Sequence, residues 1–272
     1  MDTVKDTKDT YSLLWRESGA SIPQRWHYNA MQEVIPESIV RGRIGIEIGS
    51  GCGYDTYIMA KGNPSVRFIS IDISDGIFNT GRITKGLGNV MAMKCSALEI
   101  AVKSSTLDFA YSFGVLHHTP DPKKGLMEIS RVLKKGSPAF IYLYEDHSEN
   151  AIKHVSLKLV TGVRRVTTCM PKKVLFALSW ALSPLVYVVF TLPSKVMKNF
   201  KATKNIASNM PFNFGTGPFS LTGDLYDRFG APVEYRFSRK DMSDLFIECG
   251  FSDIHITRLH DTAGWVAWGR KI

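Results

Sequence analysis

Residues 44–60 constrain the fold more than any other segment of the chain. They read as a strand, a glycine-rich turn and the start of a helix, in direct succession. Isoleucines alternate with other residues through 44–48 and predict a buried strand. Gly49, Gly51 and Gly53 come next, and residues 56–60 can open a helix. Because glycine has no Cβ, the backbone N–H groups of such a turn can come close to a ligand. The segment therefore predicts a ligand site after a strand of an α/β fold.

The spacing of the glycines narrows the class of ligand. A dinucleotide fingerprint requires Gly-x-Gly-x-x-Gly, but Tyr54 occupies the place of its third glycine. The Gly-Lys-Ser/Thr of a P-loop is absent from the turn. Glu47, inside the predicted strand, suits a ligand that carries an ammonium group better than one that carries pyrophosphate. The alternative is a tight βα turn in another kind of α/β protein.

The pattern Glu-x-Gly-x-Gly-x-Gly at 47–53 resembles the first motif of the class I S-adenosylmethionine-dependent methyltransferases. The next predicted strand, 66–73, contains Asp72 about 20 residues past the glycines, where an acid can accept hydrogen bonds from both ribose hydroxyls. The strands and helices that follow closely resemble the ubiquinone/menaquinone-type (methyltransferase type 11-like) branch. The resemblance covers roughly 40–147 and resumes at about 235–270.

The resemblance implies an α/β fold with a doubly wound, mostly parallel, seven-stranded Rossmann-like sheet, a reversed last strand and a helical insertion. Residues 251–259 and 264–268 read as two strands joined by a short turn at 260–263, which matches the hairpin at the end of the family's sheet. The resemblance also implies S-adenosyl-L-methionine as the cofactor. The cofactor-binding residues expected at the matching positions are Glu47, Gly49, Gly51, Gly53, Asp72, Ile73, Ser96, Ala97, Leu98 and Phe113.

One position departs from the family pattern. Relatives of this kind usually carry Gly-Asp-Ala after the third strand, and the acid contacts the adenine amino group. Here the matching residues are Cys95, Ser96 and Ala97, so a serine replaces the acid. Serine can accept one hydrogen bond, weaker than that of a carboxylate, and the backbone of Ala97 and Leu98 can still contact the adenine ring. The departure keeps open a catalytically silent cofactor-binding or membrane-adaptor protein of the same fold.

Two histidines are the candidate catalytic residues. His117 and His118 follow the fourth predicted strand, at the edge where ligands bind in such sheets. Because histidine changes its charge near neutral pH, one of them can act as a general base if the acceptor must lose a proton. The alternative is that both line the turn without titrating, since methyl transfer to a good nucleophile needs mainly alignment. No spacing of histidines or cysteines predicts a metal site.

The chain divides into four segments. Residues 1–40 predict an N-terminal helical cap, whose aromatic residues either fold over the cofactor cleft or pack on the sheet. Residues 41–149 form the cofactor-binding core, 150–223 a basic and apolar helical insertion, and 224–272 the C-terminal part of the core. The four cysteines are scattered and no signal peptide is recognisable, so we expect reduced thiols in a cytoplasmic protein.

The insertion carries the excess charge of the chain. The formal net charge is +9, and residues 150–223 contain ten lysines and arginines but no acid. The uncharged stretch 174–194 is long enough to cross a bilayer, but Pro184 should break a helix near its middle. Three interpretations remain: a buried lid of two short helices hinged at Ser183 and Pro184, a monotopic membrane contact, and a true span.

These observations predict methyl transfer to a small, amphipathic or lipid-linked acceptor, with peripheral membrane contact through 150–204 on the inner face of a membrane. The pattern does not favour nucleic acid as a partner, because the lysines alternate with long aliphatic runs rather than with exposed aromatic residues and glycines. The silent adaptor is the alternative function, and an RNA methyltransferase ranks below it. No pattern in the sequence points to an oligomeric state.

Overall fold

The computed structural model of the chain describes residues 3–18, 27–259 and 264–272. The chain forms two compact units. Unit 1 comprises Met1–Ser12, Arg25–Leu157 and Pro232–Ile272, and unit 2 comprises Leu13–Gln24 and Lys158–Ala231.

Unit 1 is built on one seven-stranded sheet. Its strands are β1 (Ile44–Ile48), β2 (Arg67–Asp72), β3 (Val90–Lys94), β4 (Phe109–Phe113), β5 (Pro138–Tyr144), β6 (Phe251–Arg258) and β7 (Gly264–Lys271). The order across the sheet is β3-β2-β1-β4-β5-β7-β6. Neighbours from β3 to β5 pair in parallel, whereas β7 is antiparallel to both β5 and β6. The predicted sheet with its reversed last strand is thus confirmed. The turn predicted at 260–263 lies outside the described residues.

The helices connect these strands or belong to unit 2. Those within the residue ranges of unit 1 are α2 (His27–Val34), α3 (Tyr54–Gly62), α4 (Gly76–Thr84), α5 (Pro122–Val132) and α11 (Arg239–Glu248). A 3₁₀ turn, Leu116–His118, follows β4. Two helices, α1 (Thr3–Ser18) and α6 (Ala151–Thr167), contribute residues to both units. The remaining helices are α7 (Lys172–Val186), α8 (Leu192–Met197), α9 (Lys204–Asn209) and α10 (Thr222–Gly230).

The two faces of the sheet pack different side chains, as the alternation along a strand requires. Ile46 and Ile48 belong to an aliphatic core that includes α5 and α11, and Phe68 and Phe109 belong to an aromatic core on the other face. Gly45 lies on the aromatic side, where a Cβ would stand 2.1 Å from the Phe109 ring. Strand β1 is therefore covered by a core on each face of the sheet, and its carboxyl end is where the glycine turn begins.

The prediction of two short helices hinged at Pro184 is wrong. Helix α7 continues past Pro184, and a π-helical turn, Tyr187–Thr191, joins it to α8 without a break. A proline removes one N–H and crowds the carbonyl four residues earlier, but α7 keeps its helical course with Pro184 in its interior. The continuous helix, Lys172–Met197, has 26 residues and is long and apolar enough to cross a membrane by length and composition.

Candidate active site

The glycine turn after β1 is held against β2 by its own backbone. The N–H groups of Gly49 and Ser50 both donate to the carbonyl of Ile71, at 2.7 and 3.1 Å. Gly49, Gly51 and Gly53 have φ values of 75°, 53° and 82°, in the left-handed region that favours glycine. A Cβ on Gly53 would also lie 2.5 Å from the Thr80 hydroxyl. The turn therefore requires glycine both for its conformation and for space.

Asp72 anchors this turn from the end of β2. One of its carboxylate oxygens accepts a hydrogen bond from the Gly51 N–H at 2.7 Å. The other accepts from the N–H and the hydroxyl of Ser74, at 2.7 and 2.6 Å. Ile73 follows it directly. The acid that the sequence predicts as the ribose acceptor thus also fixes the shape of the glycine turn.

Glu47 is a buried carboxylate beneath the start of α3. Its Oε2 accepts a hydrogen bond from the Thr56 hydroxyl, and the Ser70 hydroxyl lies 3.0 Å from the same Thr56 oxygen. Burial first, and then the nearby charges of Asp55 and Asp72, raise the pKa of Glu47 to about 8. Three carboxylates therefore surround one small region, so a cationic ligand there would relieve their mutual repulsion.

Asp55, which the sequence analysis did not select, connects the glycine turn to α2. Its carboxylate accepts hydrogen bonds from the Tyr111 hydroxyl at 2.9 Å and from the Tyr28 N–H at 3.2 Å. The Nδ1 of His27 lies 3.5 Å from the same carboxylate. Burial and then the charge of Asp55 hold the pKa of Tyr111 well above its usual value. The sequence feature that could have identified Asp55 is its position as an acid in the first turn of the helix after the glycines.

A chain of aromatic side chains, here called the aromatic row, continues from this region past the ends of β4 and β5. Successive ring centroids lie 4.0–6.1 Å apart, so each ring is in contact with the next. Its members in spatial order are His27, Phe113, Tyr142, Tyr144, His117, His118 and Tyr11. The row brings the predicted cofactor residue Phe113 and both predicted catalytic histidines together. Trp26, another residue of the predicted cap, lies outside the described residues.

The two histidines occupy different environments. His117 is fully buried, and its ring packs 4.0 Å from Tyr144 and 4.1 Å from His118. His118 retains 4% exposure, and its Nδ1 lies 2.8 Å from the carbonyl oxygen of Val233. Because a carbonyl only accepts, Nδ1 carries a proton in this contact, which leaves the lone pair of the neutral ring on Nε2. The geometry therefore favours His118 over His117 for proton transfer.

The serine that replaces the family's acid is used within its own turn. The Ser96 hydroxyl accepts a hydrogen bond from the Leu98 N–H at 3.1 Å. This N–H, which the sequence suggests as a contact for the adenine ring, already has an acceptor. Ala97 is buried and packs in the aliphatic core. The three residues stay together after β3, as predicted, but the polar contacts of this turn are internal.

Arginines near the end of β5 are paired with acids. Arg258 lies 2.5 Å from Glu145 and 2.9 Å from Glu149. Arg236 lies 2.7 Å from Glu234. The hydrogen bond that Arg258 donates to Glu145 raises the pKa of Arg258, so the guanidinium is held as a cation in this pair. These positive charges are therefore balanced by carboxylates of unit 1.

The region around the glycine turn has the negatively charged acceptor groups that suit S-adenosylmethionine. Its ammonium and sulfonium charges fit a cluster of three carboxylates, one of which has a raised pKa. Gly114, directly after β4, has φ +73° and open space where a Cβ would stand. Among the residues that the structure describes, no group of three or more histidine, cysteine or acidic side chains could hold a metal ion.

Comparison with known proteins places this geometry in a class. A family model described as a methyltransferase domain matches residues 41–170. A tRNA (carboxymethyluridine(34)-5-O)-methyltransferase of Saccharomyces cerevisiae is 33% identical over 106 residues, covering 38% of this chain and 36% of that protein. A tRNA (guanine-N(7)-)-methyltransferase of Pseudomonas aeruginosa is 37% identical over 82 residues, covering 28% of this chain and 32% of that protein. The chain thus spans about a third of the length of these curated relatives.

A solved structure supports the same class at the level of the fold. A SAM-dependent methyltransferase from Aquifex aeolicus superimposes with a TM-score of 0.54 at 13% identity, over 94% of this chain and 96% of that one. The sheet order and the glycine turn define a class I methyltransferase fold. Residues 41–170 are similar to the methyltransferase-domain model, which lies within this fold. Family and fold together imply S-adenosylmethionine as the cofactor, as the resemblance predicted.

Proposed function

We propose that this chain transfers the methyl group of S-adenosylmethionine to a small acceptor with an apolar part, either free or linked to a lipid. The observation that carries the proposal is the continuity of the site within unit 1. The carboxylates and glycines at the ends of β1 and β2 lead directly into the aromatic row at the ends of β4 and β5. A cationic cofactor and an apolar acceptor would then meet along one edge of the sheet.

In this proposal, the residues after β1 and β2 hold the cofactor. The backbone of the turn at 49–53 would approach it closely, Asp72 would accept from its ribose, and Glu47 with Asp55 would face its positive charge. The sulfonium of the bound cofactor supplies an electrophilic methyl group. The chain's own contribution is to exclude water and to align the two reactants, which is the main requirement for an in-line displacement.

His118 is the residue proposed to accept a proton from the acceptor. Its Nδ1 contact with the Val233 carbonyl fixes the ring orientation and leaves Nε2 as the basic atom. Tyr11 and Tyr144 flank it within the aromatic row, at centroid distances of 5.5 and 5.6 Å. Flat or aliphatic groups pack well against such rings, whereas a phosphate needs unpaired cations.

RNA is the second candidate acceptor, because named relatives are tRNA methyltransferases. At this edge of the sheet, the paired state of Arg236 and Arg258 weighs against it, since cations that already neutralise acids contribute less to phosphate binding there. The catalytically silent protein is the third candidate, and Ser96 is the feature that favours it. These candidates differ in what becomes methylated.

The test is transfer of a labelled methyl group from the cofactor to a cell extract separated into solvent-extractable small molecules and lipids, RNA, and protein. The proposal predicts label in the solvent-extractable fraction with the wild type and its loss with His118→Ala. Label in a nuclease-sensitive fraction would instead establish the RNA candidate. Cofactor binding in a calorimeter without label in any fraction would establish the silent protein.

A further inference from the structure

The long helix 172–197 of unit 2 buries its small polar residues. Ser179, Ser183, Thr191 and Ser194 are all at most 4% exposed. Their hydroxyls donate to backbone carbonyls, three of them outside the helix: Ser183 to Pro218 at 2.8 Å, Thr191 to Phe212 at 2.6 Å and Ser194 to Ala207 at 3.4 Å. One face of the helix is therefore held by polar contacts to other parts of unit 2 along most of its length.

The π-helical turn explains how these polar residues stay on one side. Positions 175, 179, 183, 187 and 191 are four residues apart, and such a row drifts by about 40° per step in an α-helix of 3.6 residues per turn. The turn at Tyr187–Thr191 has wider, i to i+5 spacing and reverses part of this drift. Thr191 thus reaches the same side of the helix as Ser183.

A different face of the same helix exposes large apolar side chains. They recur at spacings of three and four residues and are between 41% and 59% exposed. This apolar stripe consists of Leu178, Leu182, Leu185, Val189, Leu192 and Val196. A helix on the surface of a protein in water has the opposite arrangement, with its apolar face turned inward. The stripe is consequently adapted to a partner that is itself apolar.

Positive charge lies at both ends of the stripe. Lys173 is exposed at the start of the helix, and Lys195, Lys198 and Lys201 are exposed at and just after its end. Arg164 does not belong to this set, because it is buried and donates to the Ala231 carbonyl at 2.7 Å. No acid occurs between residues 150 and 223. An apolar centre with cationic ends matches the acyl region and the anionic headgroups of a lipid surface.

We infer that the helix 172–197 binds an anionic membrane surface in the plane of the interface, through the apolar stripe. A span is incompatible with the observed contacts, because the irregular backbone around Phe212 and Pro218 would then lie in hydrocarbon together with the helix. A second copy of the chain fits poorly as the partner, since both copies would bring only positive charges to the contact. The inference goes beyond the proposed function and does not depend on catalysis.

Flotation of the purified full chain with preformed vesicles tests the apolar contribution. Wild type is expected to float with vesicles that contain an anionic phospholipid. Leu182→Ser/Leu185→Ser/Val189→Ser should bind about 100-fold more weakly, because each half-exposed side chain loses about a factor of five on leaving an apolar contact. The matched control places three serines at exposed apolar positions of unit 1 and should float like wild type; it changes Phe78, Met127 and Ile247.

The charge contribution is tested on the same vesicles. A variant with glutamate in place of Lys173, Lys195, Lys198 and Lys201 should bind at least about 100-fold more weakly. Added salt should weaken the binding of the wild type as well. The control reverses four exposed lysines of unit 1, namely Lys61, Lys85, Lys103 and Lys135. All substituted positions are at the surface, and unchanged circular dichroism spectra would show that each variant is folded.

Four outcomes would overturn the inference. They are no flotation of the wild type in any lipid composition, equal flotation of the wild type and the triple serine variant, and retention on vesicles after alkaline extraction, as expected of a span. The fourth is vesicle-free dimerisation that the serine substitutions abolish, which would assign the stripe to a second copy.

Discussion

Replacing Glu47 by glutamine is expected to stabilise the protein at neutral and alkaline pH, while it weakens cofactor binding. Burial, with the nearby Asp55 and Asp72, raises the pKa of Glu47 from 4.5 to about 8. The folded state therefore binds this proton more tightly than the unfolded state, so stability falls as pH rises from 4.5 to about 8. Glutamine is close to glutamate in size and stays neutral at every pH.

The magnitude follows from the same shift. Ionisation of Glu47 should reduce the free energy of unfolding by about 3 kcal/mol between about pH 5 and pH 8. Glu47→Gln should remove this loss, because its amide oxygen can still accept from the Thr56 hydroxyl. The melting temperature of the variant should then exceed that of the wild type by roughly 6–12 °C at pH 8, and the two should nearly agree at pH 5.

Thermal unfolding followed by circular dichroism at several pH values measures the effect, and Glu128→Gln is the control. A hydrogen bond from Arg131 holds the pKa of Glu128 below its usual value despite partial burial. The stability from Glu128 is therefore present above pH 4.5 and lost as pH falls through the folded pKa, so its variant should be destabilised at neutral pH. An equal gain by Glu47→Gln at pH 5 and pH 8, or no gain at either, would refute the reasoning.

The same carboxylate links cofactor binding to protons. A cation bound among Glu47, Asp55 and Asp72 lowers the pKa of Glu47, so cofactor binding near pH 7 should release protons. Calorimetry in two buffers of different ionisation enthalpy measures this release. Glu47→Gln should abolish it and weaken the affinity.

Three further predictions concern the other site residues. Asp72→Ala should weaken cofactor binding by about 1.5–3 kcal/mol, because an anionic acceptor and the anchor of the glycine turn are both lost; calorimetry measures this, and the exposed Asp75→Ala is its control. His118→Ala should lower turnover by about 10²–10⁴ and leave cofactor affinity within a few-fold, whereas the exposed His255→Ala should change neither, and full activity of His118→Ala would make the ring structural. Ser96→Asp should tighten cofactor binding by about 0.5–1.5 kcal/mol, because a carboxylate can keep the bond to the Leu98 N–H and add charged acceptor capacity; unchanged affinity would show that this turn does not contact the cofactor.

Local patterns allowed the fold, the glycine turn and the position of Asp72 beside it to be predicted. The isoleucines of β1 and the glycines after it are neighbours in the chain, and their spacing specifies a strand and a turn without reference to other segments. Asp72 could be placed beside the glycines because parallel neighbouring strands end at the same edge of a sheet. Asp55 escaped notice because its partners, Tyr28 and Tyr111, are 27 and 56 residues away.

The sequence by itself thus determined the order of strands and helices, the glycine turn and the positive charge of 150–223, since each depends on residue type and short-range spacing. Only the tertiary structure separated His118 from His117, because the carbonyl that orients His118 belongs to Val233, 115 residues further along. It also decided the course of the chain at Pro184. A proline predicts a break when the helix is considered alone, but contacts to Phe212 and Pro218 hold Thr191 and Ser183 on one side, and a π-helical turn preserves that side. Packing against distant segments outweighs local preference there, because the buried hydroxyls must keep their acceptors.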